Sequence, residues 1–218
     1  MTGARLPRLD ARNRHWAAAF VFVVATVVYL ATNHVHFTAP HLLPLTSADR
    51  AVPFLPGTIW IYNTDYFFFL SVYALLCSDF DALNNYCFAF LALILVSGLI
   101  FMVWPTVYPR ALYPLPAGID AATAGAFSGL RWIDSPANCC PSLHVSGVTL
   151  ALLALPRRNK AITAAFFVWG GLIVLSTLTT KQHYVIDVVT GAALAALIYR
   201  RFQLTLSEPA RSAREVAA

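Results

Sequence analysis

The sequence predicts an all-α, polytopic membrane protein in which six transmembrane helices form one bundle, and three observations support this. Of the 218 residues, 59% are hydrophobic and only 11% are charged, whereas a soluble domain carries about 25% charged residues. Six apolar runs follow one another along the chain, separated by short polar segments. A helix needs about 20 apolar residues to cross a bilayer, so six such runs occupy most of the chain.

The six apolar runs define the predicted spans in chain order. They cover approximately 16–31, 58–77, 86–104, 142–155, 161–178 and 184–199. The first run has a basic start like that of a cleaved signal peptide, but Thr32-Asn33-His34 follows instead of a small-residue cleavage site, so we expect a retained anchor. We therefore expect cytoplasmic tails over residues 1–15 and 201–218 and one membrane domain over residues 16–200.

The distribution of Lys and Arg predicts the orientation, because cytoplasmic loops carry the excess of these residues. With both termini inside, the inner segments hold most of the 15 basic residues, namely Arg5, Arg8, Arg12, Arg14, Arg157, Arg158, Lys160, Arg200, Arg201, Arg211 and Arg214. The remainder oppose this bias on the outer face, namely Arg50, Arg110, Arg131 and Lys181. These four either solubilise the outer loops or bind an anionic substrate. The same distribution accounts for the net charge of +5 without a nucleic-acid partner.

A first motif, Asn138 to His144, leads into the fourth apolar run. We expect Pro141 in the first turn of the helix, where its missing N–H costs nothing. The amides of Ser142, Leu143 and His144 would then be unpaired donors at the positive end of the helix dipole, which favours anion binding. His144 is placed to donate a proton to such an anion, although a histidine that only caps the helix is the alternative.

A second motif, Ser176 to Asp187, leads into the sixth run. His183 and Asp187 are four residues apart, so on a helix they share a face. A carboxylate bound to one ring nitrogen makes the other a better base or nucleophile, although a buried structural pair is the alternative. Because both motifs start spans at the same predicted face, together they indicate phosphate transfer, with one histidine attacking phosphorus and the other protonating the leaving oxygen.

The two motifs together resemble the type 2 phosphatidic acid phosphatase superfamily, which includes lipid phosphate phosphatases and vanadium haloperoxidases. The shared pattern is Pro-Ser-x-His followed about forty residues later by His-x-x-x-Asp, and the resemblance covers roughly Val52 to Ile198. The haloperoxidases are soluble, so their activity does not fit this chain. The stretches Val52–Tyr62 and Pro105–Arg110 are similar to the branch related to inositol phosphorylceramide synthase.

The resemblance implies a role for each matching residue. His183 would be the nucleophile that forms a phosphohistidine, and Asp187 would orient it. His144 would be the general acid, and Ser142 would bind phosphate through its side chain and backbone.

The chain departs from the family pattern at two expected phosphate-binding positions. The motif Lys-x6-Arg-Pro is absent as written, and Arg110, which Ala111 follows, is the candidate for its arginine. Thr177 stands where the family has an arginine six residues before the nucleophilic histidine. Lys181 or Arg131 would then supply the missing positive charge, and Lys181 would do so without a bidentate fork.

No metal or cofactor is expected. The outer histidines lack nearby carboxylates and thiols, namely His34, His36 and His41. The four cysteines are expected as free thiols, because the turn between Cys77 and Cys87 faces the cytoplasm in the predicted topology. Asp65, inside the second run, either pairs with a basic group near the site or lies near a water-exposed end. Asp49 and Asp134 are expected as ordinary loop residues.

The sequence therefore predicts a lipid phosphatase that hydrolyses a lipid phosphate ester or pyrophosphate at the periplasmic face of a bacterial inner membrane. Its substrate would be an amphiphilic phosphorylated lipid, and no obligate protein partner is inferred. The alternative is a transferase that moves a phospho-headgroup to a lipid or sugar hydroxyl. A remote alternative is a non-enzymatic transporter that uses the His–Asp pair as a proton relay.

Overall fold

The structure is a computed structural model, and it describes residues 10–134, 137–157 and 159–215, with side chains as far as residue 203. Arg5, Arg8, Arg158 and the side chains of Arg211 and Arg214 therefore lie outside the described residues. The helices, in chain order, are α1 Arg14–Thr32, α2 Ser47–Ala51, α3 Ile59–Tyr62, α4 Asp65–Leu76, α5 Phe80–Val103, α6 Ala121–Ile133, α7 Leu143–Ala154, α8 Lys160–Thr179 and α9 Val185–Glu215.

The fold is predominantly helical, as predicted, but the loops after α1 and α5 also contain a short parallel strand pair. Strand β1, His41–Leu42, pairs with β2, Thr106–Val107, and Thr106 also bridges to Asn138. Among the described residues, α1, α5 and α8 are long and apolar enough to cross a membrane, and α7 is a shorter apolar helix. These helices agree with a membrane protein.

Several helix boundaries differ from those predicted. The second predicted span is interrupted between α3 and α4, at Asn63 and Thr64. Helix α5 begins at Phe80, six residues earlier than predicted, because the Asp79 side chain caps it by accepting a hydrogen bond from the Ala82 amide. The prediction placed the start of the helix after the polar residues Asn84 and Asn85, but both lie inside α5 and are buried. Helix α9 continues to Glu215, through most of the segment predicted as the C-terminal tail.

The main core lies between α4, α5, α7, α8 and α9. Its fully buried apolar side chains include Phe68, Val72, Leu83, Leu93, Val148, Leu150 and Ile173. Helix α1 packs against α5 at the edge of this core, where a Cβ on Gly98 would lie 2.6 Å from Val28 Cγ1. Close approach at Gly98 therefore fixes α1 on α5, and the rest of α1 is largely exposed.

The loops after α1 and α5 contact the start of α9. The Tyr184 hydroxyl donates hydrogen bonds to the carbonyls of Leu43 and Val107, each at 2.9 Å. The Tyr184 ring also packs against Tyr108, with centroids 4.6 Å apart. These contacts hold the loops after α1 and α5 beside the second histidine motif.

Candidate active site

His183 and Asp187 meet at the start of α9. Because α9 begins at Val185, His183 lies in the turn before the helix, not on a helical face as the spacing suggested. The Asp187 carboxylate folds back, with Oδ2 accepting the Tyr184 amide at 2.8 Å and lying 3.3 Å from His183 Nδ1. The carbonyl of Cys139 lies 3.1 Å from the same Nδ1. Both partners accept hydrogen bonds, so Nδ1 is the donor, and in the neutral ring the lone pair lies on Nε2.

Thr177 anchors the turn that presents His183. Its carbonyl accepts hydrogen bonds from the amides of Gln182 at 3.1 Å and His183 at 3.3 Å, and its hydroxyl donates to the Val174 carbonyl. Thr177, which stands where the family has an arginine, is thus fully buried, and its carbonyl supports the turn that carries His183.

Lys181 binds protein carbonyls away from the candidate pocket. It adopts a left-handed conformation, with φ of 56°. Its ammonium donates to the carbonyls of Asp49 at 3.1 Å and Val52 at 2.6 Å, and lies 4.7 Å from the ring centroid of Tyr113. Lys181 therefore does not line the described cavity, and its charge holds the turn between α8 and α9.

The Asp49 carboxylate binds the start of α9. Its Oδ1 accepts the Val185 amide at 2.7 Å, and its Oδ2 accepts the Thr46 amide at 2.8 Å. Burial raises the pKa of the Asp49 carboxyl, but the hydrogen bonds from Thr46 and Val185 and the charge of Lys181 outweigh it, so the pKa lies below its usual value. The sequence predicts an ordinary loop residue at Asp49, whereas its carboxylate binds the first amide of the helix that carries Asp187.

The start of α7 differs in detail from the expected anion site. Ser142 is the N-cap, so Pro141 lies before the helix and not in its first turn. The Ser142 hydroxyl accepts the Val145 amide at 3.3 Å, and the Ser142 amide donates to the carbonyl of Asp187 at 3.1 Å. Ser142, the expected phosphate ligand, therefore caps α7 with its hydroxyl and joins α7 to α9 through its amide, while Leu143 and His144 border the pocket.

His144 has partners at both ring nitrogens. The Tyr62 hydroxyl lies 3.2 Å from Nδ1, and the two rings pack with centroids 4.5 Å apart. Asp65 Oδ2 lies 3.4 Å from Nε2, so Asp65 pairs with a group of the site itself. The His144 and His183 ring centroids are 6.2 Å apart. Two histidines, each beside its own carboxylate, thus lie next to each other.

A small, largely enclosed polar cavity of about 10 Å³ lies between these histidines and the outer loops. Its lining residues are Tyr29, Arg110, Asp134, Asn138, Cys139, Leu143, His144, Gln182 and His183.

Of the four basic residues that the predicted topology places on the outer face, Arg110 is the one that lines this cavity. Its Nη2 lies 2.6 Å from Asp134 Oδ2, its Nη1 donates to the Asp134 carbonyl at 2.8 Å, and the Tyr29 hydroxyl donates to the same carboxylate. The Nε of Arg110 is buried without a hydrogen-bond partner among the described residues. Arg131, by contrast, is exposed, with its guanidinium 5.5 Å from the ring centroid of Phe127.

A family model described as the PAP2 superfamily matches residues 28–200. The chain belongs to the PAP2 superfamily. The matched region includes both histidine motifs and Arg110, and membership supports a phosphatase-like enzyme. A search of the curated proteins finds no match to this PAP2 chain.

The PAP2 site includes polar residues that sequence reasoning did not single out. Tyr29, Asn138 and Gln182 all border the cavity, and the buried Oδ1 of Asn138 and Oε1 of Gln182 lack partners among the described residues. The available signal was position, because Asn138 and Gln182 belong to the two histidine motifs and Tyr29 is a polar residue near the outer end of the first span.

One group in the described part of this PAP2 chain has the residue types of a metal site. Ligand atoms of Cys139, His183 and Asp187 lie within 4.8 Å of one another. The same histidine and carboxylate already form the hydrogen-bonded pair described above. We therefore interpret the group as part of the histidine–aspartate pair.

Gly191 provides a test of the contact between α7 and α9. A Cβ there would lie 2.7 Å from the Ser142 carbonyl oxygen, which is backbone and cannot move aside. We expect Gly191→Ala to separate the two motifs, lowering stability by about 1–3 kcal/mol, as overpacking does, and reducing turnover. Gly171→Ala on α8 is the matched control, because its Cβ would meet nothing within 4 Å. Thermal unfolding in detergent checks both variants, and equal stability of the two would contradict the tight contact.

Proposed function

We propose that this PAP2 protein is a membrane lipid phosphatase that hydrolyses a lipid phosphate ester or pyrophosphate through a phosphohistidine at His183. The observation that carries the proposal is the pairing of His183 Nδ1 with two hydrogen-bond acceptors. This nitrogen faces the Asp187 carboxylate and the Cys139 carbonyl, which leaves Nε2 as the nucleophilic nitrogen in a pocket that also contains Arg110 and His144.

Each group in the pocket has a step in the proposed reaction. His183 Nε2 attacks phosphorus while the bond from phosphorus to the leaving oxygen breaks, and Asp187 stabilises the positive charge that develops on the ring. Protonated His144 gives its proton to the leaving oxygen. Arg110 and the helix-start amides of Leu143 and His144 neutralise the non-bridging oxygens. Water then attacks phosphorus and gives a proton to His144, which is neutral after the first step, the N–P bond breaks, and phosphate leaves.

Substrate binding must open the pocket. A cavity of about 10 Å³ holds roughly one water molecule, whereas a phosphoryl group is larger. The Arg110 guanidinium is engaged by Asp134, which Tyr29 also binds. An entering phosphate therefore competes with the Asp134 carboxylate for Arg110, and the unpartnered Arg110 Nε offers a first hydrogen bond.

The proposal includes a six-span topology with both termini in the cytoplasm and the site toward the periplasm of a bacterial inner membrane. The spans would be α1, α3 with α4, α5, α7, α8 and α9. The concentration of Lys and Arg at one end supports this orientation. Helix α7 has 12 residues, or about 18 Å, so a site at its start would be recessed into a bilayer core of roughly 30 Å. A recessed site favours a lipid substrate.

A transferase related to inositol phosphorylceramide synthase is the second candidate. Two observations favour it. Thr177 replaces the expected arginine, and a large apolar cavity meets the pocket at His144. In a transferase, a lipid or sugar hydroxyl would replace water in the second step.

A panel of lipid phosphates and pyrophosphates separates these activities. The purified protein is incubated with each compound, with and without added alcohols, and free phosphate and transferred phosphate are both measured. We expect free phosphate to be released without an added acceptor. Transfer with little free phosphate would favour the transferase, and the absence of both products on every compound would contradict the proposed chemistry.

A further inference from the structure

The polar cavity beside the two histidines contains hydrogen-bond acceptors that a phosphate cannot use. Besides Arg110, its lining includes the amide side chains of Asn138 and Gln182. Both residues are buried, and Asn138 Oδ1 and Gln182 Oε1 have no hydrogen-bond partner among the described residues. The non-bridging oxygens of a phosphate are themselves acceptors, so they bind Arg110 but not these two oxygens.

Hydrogen bonds at the other end of each amide fix its orientation. Gln182 Nε2 donates to the Thr180 carbonyl at 2.9 Å. Asn138 Nδ2 donates to Thr32 Oγ1 at 3.0 Å, and the Thr32 hydroxyl in turn donates to the Tyr29 carbonyl at 3.1 Å. Turning either amide over would place its oxygen against an acceptor. The amide oxygens, and not the amino groups, are therefore left for a donor.

The size of the cavity indicates which donor these oxygens bind. A volume of about 10 Å³ holds roughly one water molecule. A buried water typically makes about three hydrogen bonds to polar groups that otherwise lack partners. Water has two O–H donors, one for each amide oxygen, whereas a lipid or sugar hydroxyl has a single O–H and brings carbon atoms against the polar lining. The acceptors therefore suit water better than an alcohol.

We propose that the amide oxygens of Asn138 and Gln182 bind and orient the water molecule that attacks the phosphohistidine at His183. The inference rests on the proposed function and deepens it, because it names the groups that select water in the second step. Asn138 and Gln182 belong to the same two motifs as His144 and His183, so the fold that joins the histidines also brings the two amides to one cavity.

The amide oxygens hold the water while it loses a proton. After the alcohol has left, the water donates one O–H to neutral His144 and the other to the amide oxygens. The water oxygen then attacks phosphorus, the N–P bond breaks, and its electron pair returns to His183 Nε2. One proton passes to His144, which is thereby protonated for the next cycle, and the other stays on the phosphate. Holding the water in position before the attack lowers the entropic part of the barrier.

Methanol competes with water for the phosphohistidine and tests this assignment in the full-length protein. Methanol has one O–H, so when its proton passes to His144 its methyl group faces the amide oxygens in place of a second hydrogen. Each protein is incubated with dodecyl phosphate at a fixed methanol concentration, and the ratio of methyl phosphate to free phosphate is measured. This ratio depends only on the second step, so a partial loss of folded protein does not change it.

Two variants remove the acceptors one at a time. Gln182→Met and Asn138→Leu replace an amide by an apolar side chain of similar size. We expect the ratio to rise roughly fivefold or more in each, which is the effect of losing one hydrogen bond to the attacking water. Asn84→Leu is the matched control and should keep the wild-type ratio. Asn84 is also buried, with an Oδ1 that lacks a partner among the described residues, but it does not line the cavity.

Rapid quenching of the same reactions, with the phosphate radiolabelled, measures the two steps separately. We expect label to accumulate on His183 in both test variants, because the second step slows while the first does not. A wild-type ratio in both test variants, an equal rise in Asn84→Leu, or a loss of label formation in both folded test variants would overturn the water site and leave the proposed function standing. A wild-type protein that forms neither free phosphate nor labelled His183 from any compound of the lipid-phosphate panel would overturn the proposed function together with this inference.

Discussion

Replacement of His183 by alanine is expected to reduce kcat by roughly 10³-fold or more on every phosphate ester that the wild-type protein cleaves, because the variant lacks the nucleophile. His183 is the histidine whose Nδ1 is occupied by the Asp187 carboxylate and the Cys139 carbonyl. His144 lines the same cavity, but its carboxylate partner Asp65 lies at Nε2 and the Tyr62 hydroxyl lies at Nδ1. Phosphate release by purified protein, normalised to folded protein, measures the effect.

His34→Ala is the matched control for this loss. His34 is an exposed histidine that follows α1 and does not line the cavity. We expect it to retain wild-type turnover. Turnover by His183→Ala within about tenfold of wild type would remove His183 from the nucleophile's role.

Replacement of His144 by alanine is expected to have a large effect that depends on the leaving group. A positioned general acid contributes roughly 10²–10⁴-fold when the leaving oxygen needs a proton. We therefore expect a loss of this size on dodecyl phosphate, whose alkoxide is strongly basic. The loss should be below about tenfold on p-nitrophenyl phosphate, whose leaving group departs without a proton.

Steady-state kinetics on both compounds check this prediction in one preparation. A variant that lost structure would lose both activities together, whereas a missing general acid changes their ratio. Equal losses on the two compounds, in protein with a wild-type unfolding temperature, would contradict proton donation by His144.

Local sequence patterns were sufficient to predict that the two histidine motifs lie close together at the starts of two helices. His144 and His183 belong to short motifs at the starts of two apolar runs, and the structure brings their rings to 6.2 Å. Periodicity could predict this because helix starts and apolar spans depend on neighbouring residues. The detailed contacts differ from those predicted. The Asp187 carboxylate accepts the Tyr184 amide at the start of its own helix, and the Ser142 amide donates to the carbonyl of Asp187.

The binding partners of Asp49, Asp134 and Asp65 could not be predicted, because each partner lies far away along the chain. Asp49 binds the Val185 amide 136 residues away, and Asp134 binds Arg110 across 24 residues. Asp65 reaches His144 from a different helix. Sequence showed that Asp65 was unusual in an apolar run, but only packing identifies its partner.

Charge alone does not place a basic side chain in the cavity. Lys181 lies next to the second motif in sequence, yet its ammonium turns to the carbonyls of Asp49 and Val52. The direction of a side chain depends on the backbone conformation. Lys181 has a φ of 56°, which the sequence pattern does not predict. Arg110, whose following residue departs from the family pattern, borders the cavity instead.

A covalent phosphoenzyme at His183 can be trapped by rapid quenching during turnover of dodecyl phosphate that is radiolabelled in its phosphate. The quenched protein is digested under alkaline conditions, which preserve phosphohistidine, and the labelled peptide is sequenced by mass spectrometry. We expect phosphate on His183 in the wild-type protein and no label in His183→Ala. Turnover without a labelled peptide, or label on a residue other than His183, would contradict a phosphohistidine at His183.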